Sequence, residues 1–148
     1  MNEVPPNSNA LNLWERAGLA ALATALSLAL AAAVGLEPDG RGYGTHEQLG
    51  FPACTFFRMV GRPCPSCGMT TAWANALHGR PLAALQANAA GALLAAAAPL
   101  VVVWVGVSAA KGIWWGGRPR PQWLLAAAGL LTAVVLIDWV RRLTGGWN

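Results

Sequence analysis

The chain has 148 residues, of which 55% are hydrophobic and 11% charged, with a mean hydropathy of +0.44 and a sequence pI near 9.6. That balance excludes an ordinary soluble domain and fits one compact unit in a membrane. Ten Lys and Arg stand against six Asp and Glu; in so apolar a chain the surplus is loop charge that sets topology and meets anionic lipid, so nucleic acid is not an expected partner.

Residues 1–12, with Pro5-Pro6 and several Asn and Ser, read as a disordered lead-in, and Trp14-Glu15-Arg16 as an interfacial anchor. Residues 1–16 thus precede the membrane part. The first span is expected at 17–36, an uncharged run of about 30 Å as helix, enough to cross a bilayer core. It is too long for the apolar region of a signal peptide, and just one Arg beside a Glu flanks it, so an anchor is the better reading. Ala17, Ala21, Ala25, Ala29 and Ala33 recur every four residues. Small-residue stripes let helices approach closely in lipid, so this face is expected to meet the other two spans, a partner membrane protein or a second copy.

Residues 37–88 break the apolar pattern. Glu37-Pro38-Asp39-Gly40-Arg41-Gly42 is rich in turn formers and charge, and such backbone cannot satisfy its polar groups in lipid. This loop carries His46 and all three cysteines of the chain, Cys54, Cys64 and Cys67. A short helix is expected over 69–78, with Thr70 or Thr71 as its cap and Gly79 as its stop. Pro81 suits the first turn of a further helix. Its polar start, with Gln86 and Asn88, leads into the second span at 89–110, which contains Pro99. A basic connector flanked by Trp114, Trp115 and Trp123 follows, its rings placed for an interface belt. The third span is expected at 123–140, with Asp138 near its end, close to Arg141 and Arg142, as a snorkelling or paired interface residue rather than an intramembrane relay, before a tail at 141–148. Positive charges number one before the first span, four in the cysteine loop, three in the connector and two at the C-terminus. They do not decide which side faces the cytoplasm.

Cys64-Pro65-Ser66-Cys67-Gly68 admits three chemistries. A metal knuckle uses two thiolates across a tight turn, with glycine admitting backbone amides to the sulfurs. A dithiol site uses the same spacing before a helix N-terminus. The third reading is packing alone, the cysteines serving as small residues in a corner. His46 and Cys54 would complete a four-ligand set of zinc type with Cys64 and Cys67, although the gap between Cys54 and Cys64 is not a standard spacing. His46 also reads as a solvated loop residue, and His78, at a helix end before Gly79, as a partner of the helix dipole. No nucleophile–base set, phosphate loop or carboxylate pair appears, so catalysis is not expected.

Cys64-Pro65-Ser66-Cys67-Gly68-Met69-Thr70, then Ala72-Trp73, His78-Gly79 and Asn88 before an apolar helix, resembles the domain-of-unknown-function 2752 family of small bacterial membrane proteins. The upstream run Gly44-Thr45-His46-Glu47-Gln48-Leu49-Gly50-Phe51-Pro52-Ala53-Cys54 is similar to members of that family, and the resemblance extends over roughly 42–110. It implies a bacterial cell membrane and a site at these cysteines, with no established reaction. The family often has Arg after the motif Thr and Pro after the Asn; Thr71 and Ala89 stand here.

The expectation is therefore an all-α integral membrane protein with three transmembrane helices, forming a single membrane domain over 17–140. Its cysteine-containing loop and short helix lie at one membrane face. It is expected to act as a binding or assembly component, with Cys54, Cys64, Cys67 and His46 as candidate zinc ligands. The alternative is a membrane thiol-redox protein using Cys64 and Cys67.

Overall fold

The computed structural model describes residues 9–145. Residues 1–8 of the expected lead-in and the last three of the tail lie outside the described residues. The elements are α1 (Leu13–Gly35), a 3₁₀ turn (Thr45–Leu49), α2 (Thr55–Val60), α3 (Met69–Leu77), α4 (Pro81–Ala87), α5 (Ala89–Lys111) and α6 (Pro121–Thr144). Of these, α1, α5 and α6 are long and apolar enough to cross a membrane. No strand forms among the described residues; the one β-bridge joins Ala10 to Ile113.

The first helix starts at Leu13, ahead of the uncharged run, because Asn12 caps it. The Asn12 side chain accepts from the Glu15 amide at 2.8 Å and the Glu15 carboxylate accepts from the Asn12 amide at 3.0 Å, a reciprocal capping box. Composition extends the disordered lead-in to Asn12, but its described part is tied down. The Leu11 amide donates to the Gly112 carbonyl, and the Trp114 amide to that of Asn9. Arg16 adds a bond from Nε to the Ala109 carbonyl at 2.7 Å, and Arg118 pairs with Glu15. The N-terminal segment and the connector thus form one end of the bundle. The loop 37–88 and the last turn of α6 form the other, where Arg62 donates to the Leu143 carbonyl at 2.9 Å.

α1 and α5 make the principal helix pair, and α6 packs more sparsely against α5. The covered face of α1 is Leu19, Ala23, Leu26, Leu30 and Ala33, while Ala17, Ala21, Ala25 and Ala29 are exposed. The alanine stripe therefore does not form the contact face as its spacing suggested. The reason is geometric: at about 100° per residue, a four-residue repeat drifts about 40° at each step and winds around the helix. A straight face needs alternating steps of four and three, which Leu19 to Ala33 supplies. Between α1 and α5, Gly106 faces Ala23, and a Cβ built on it would lie 4.0 Å from the alanine methyl. α5 runs unbroken through Pro99. α6 leaves Leu125, Leu130 and Ile137 about 70% exposed, an apolar surface suited to lipid.

The polar start of the second span is a separate helix. Pro81 opens α4, which ends at Ala87, and Asn88 then caps α5 by accepting from the Gly91 amide at 2.8 Å. Leu26 lies on the packed face and Ala25 on the free one. Leu26→Ala should therefore lower thermal stability in detergent by about 1–2 kcal/mol, whereas Ala25→Leu should change it little.

Candidate metal centre in the cysteine loop

The loop at 37–50 is latched to α3 by buried hydroxyls. Thr45 Oγ1 lies 2.8 Å from Thr71 Oγ1 and accepts from the Asp39 amide at 3.0 Å. Thr71 is thus spent on this latch. Neither it nor Thr70 caps α3, whose N-cap is Gly68 in the left-handed conformation. Arg41 ties Asp39 and Glu47 together at 2.7 and 3.2 Å and lies 5.0 Å over the Tyr43 ring. The arginine holds the Asp39 carboxyl below its ordinary pKa, against the opposing effect of burial. Tyr43 stacks at a tilt on Phe57 of α2, with ring centroids 5.2 Å apart. These contacts bring α2, and Cys54 at its start, over the turn that carries Cys64 and Cys67.

The three cysteines converge there. All are free, and their sulfurs lie within 4.8 Å of one another. The Cys64 and Cys67 sulfurs are 3.1 Å apart, and the Cys64 amide donates to the Cys67 sulfur at 3.2 Å. The arrangement has the ligand types and spacing to hold a metal ion. It opens on a cavity of about 620 Å³ that Tyr43, His46, Glu47, Phe57 and Met69 also line. Burial, then the neighbouring Cys64 sulfur, pushes the Cys67 thiol up to about 12. Burial also raises Cys54, but the Phe57 amide, the Cys67 and Cys64 thiols and the Phe56 amide outweigh it and hold Cys54 below an ordinary thiol.

Of the four candidate ligands, then, Cys54, Cys64 and Cys67 come together. His46 lines the same cavity but lies outside the sulfur group, its Nε2 donating to the Pro52 carbonyl at 3.2 Å. His78 caps the far end of α3, where Nδ1 donates to the Ala74 carbonyl at 2.7 Å.

Two residues that sequence reasoning did not connect with the cysteines hold the turn in place. Asn88 Nδ2 donates to the Pro65 and Cys67 carbonyls, each at 3.1 Å. Arg142, near the end of α6, donates to the same two carbonyls at 3.0 and 2.9 Å. Its side chain is 1% exposed, and its Nε stands 2.9 Å from Asp138 Oδ2. Asp138, expected as a snorkelling or paired residue at the interface, pairs with both arginines, Arg141 at 2.8 Å, but its side chain is buried, 4% exposed. The missed signal was its i,i+4 spacing to Arg142 inside an otherwise apolar helix, which marks a buried pair as readily as an interfacial one.

Gly68 makes the turn sterically workable. Its φ is +80°, and a Cβ there would lie 2.5 Å from the Ala87 carbonyl oxygen and 2.7 Å from that of Gly42. Gly50 has a similar φ of +83° with open space around it. Gly50→Ala should cost about 1 kcal/mol for the left-handed backbone alone. Gly68→Ala should cost more than about 2 kcal/mol in thermal unfolding and expose the thiols to alkylation.

No curated protein and no solved structure matches the chain. Residues 54–104 match the family model described as Protein of unknown function (DUF2752), the family that the cysteine motif resembles.

Proposed function

We propose that the chain is a three-span protein of a bacterial cell membrane that holds a zinc-type metal ion in its extramembrane loop and serves as a binding or assembly component. One observation carries this reading: three sulfurs from two separate loop segments lie within 4.8 Å of one another. Sulfurs bound about 2.3 Å from a shared zinc stand about 3.8 Å apart, so small side-chain rotations suffice to load the cluster. His46 is the proposed fourth ligand. Its Nε2 proton already rests on the Pro52 carbonyl, which leaves Nδ1 as the ligand atom in the neutral ring, the arrangement usual for metal-bound histidine. Lipid is the general partner. The outward-facing alanines of α1 are the proposed contact for another membrane helix or a second copy.

The metal-content measurement is direct. Purified wild-type protein should carry about one zinc per chain, and Cys54→Ser, Cys64→Ser and Cys67→Ser should each lose it, since each removes one of the anionic sulfur donors that hold the ion most strongly. His46→Ala should retain zinc with affinity weakened at least about tenfold. Burial keeps the Cys67 thiol protonated near neutral pH, so zinc must displace that proton, and apparent affinity should fall as pH falls. Wild-type protein free of metal after zinc loading would end this reading.

A dithiol function for Cys64 and Cys67 is the second reading, favoured by their 3.1 Å contact. It predicts a loss of about two mass units, reversed by reductant, with Cys54→Ser unaffected.

A further inference from the structure

We propose that the third span is coupled to the metal centre. Arg142 is a positioning residue for Cys67, so that metal loading and docking of the last turns of α6 form one linked equilibrium. The proposal rests on the metal reading above and names a control built into that site.

Burying a guanidinium and a carboxylate is costly unless both are paired and bonded. Here the Arg142 side chain is 1% exposed and that of Asp138 4%. Beside its pairing with Asp138, Arg142 sends two bonds to backbone carbonyls of the cysteine turn. Together with Asn88 it gives the Pro65 and Cys67 carbonyls two donors each, filling both acceptor sites on each oxygen. Fixing those two oxygens fixes the peptide planes on either side of Ser66 and Cys67, and with them the direction in which the Cys67 sulfur leaves the backbone.

The other polar contacts near the end of α6 reach the same short segment. Trp139 Nε1 donates to the Pro63 carbonyl at 2.8 Å, and Arg62 reaches back to the Leu143 carbonyl at 2.9 Å. Elsewhere α6 is mostly exposed and packs sparsely on α5. Its C-terminal turns are thus anchored chiefly to 62–67, the segment bearing two of the three thiols. Because coupling is reciprocal, whatever displaces α6 must weaken metal binding, and metal must tighten α6 against the turn. Arg142 also lies beyond the matched stretch 54–104, so the coupling belongs to a part of the chain outside it.

The test uses the full-length protein in detergent with zinc alone. Zinc competition against a chromophoric chelator should show affinity lowered about ten- to a hundredfold in Arg142→Gln. Arg142→Lys, which keeps the charge but loses the two-carbonyl fork, should also bind more weakly, at unchanged helix content. In wild type, zinc should slow amide exchange over 139–144 at least about tenfold. Wild-type affinity in both variants, or exchange over 139–144 indifferent to zinc, would overturn the proposal. Should wild type take up no zinc, the metal reading fails by itself, and Arg142 is judged on metal-free protein. There alkylation of Cys67 should be at least about tenfold faster in Arg142→Gln than in wild type, and equal rates would refute the positioning role.

Discussion

Two backbone carbonyls, those of Pro65 and Cys67, are where the fold is tied together. Asn88 and Arg142 each donate to both. Asn88 begins α5 and Arg142 lies in the last turns of α6, so two of the three long helices end on one turn of four residues. The turn's carbonyls are drawn toward a buried cation and a buried amide, while its Cys64 amide faces sulfur. That amide presents the positive end of its dipole to the Cys67 sulfur and favours it as an anion once a metal displaces its proton.

The third cysteine is delivered by different means. The Thr45–Thr71 bond and the close backbone approach at Gly68 fasten the loop over α3, and the Tyr43–Phe57 contact then sets α2 above the turn. The Thr45–Thr71 latch is buried, where an unmade hydrogen bond costs more than a made one contributes. That asymmetry gives the loop a definite place without a large apolar core. The core it does have is small, built of Ala72, Ala84, Ala87 and Ala92, and alanine methyls allow α3, α4 and α5 to pack closely.

Much of this was legible in the chain. Long apolar runs marked the long helices, Pro81 and Gly79 marked the breaks, and the spacing of Cys64 and Cys67 marked the candidate site. What escaped did so for identifiable reasons. The alanine repeat is conspicuous in one dimension and winds around the helix in three. Thr71 resembles a cap until Thr45, far away in sequence, claims its hydroxyl. Asn88 looks like the polar start of a span, and its second role needs Pro65 and Cys67 to lie beside it. Arg142 reads as a topology charge at a helix end; beside Asp138, the carbonyls it reaches are 75 and 77 residues distant, and no local pattern encodes that meeting. Long-range polar contacts, rather than secondary structure, were what the sequence concealed.

The central claim is that these contacts assemble three thiols into one metal site. Zinc-edge X-ray absorption on the zinc-loaded, full-length protein tests it most directly. The account predicts a first shell of three sulfurs near about 2.3 Å and one nitrogen near about 2.0 Å. A shell of oxygen and nitrogen alone, or one containing a single sulfur, would contradict it.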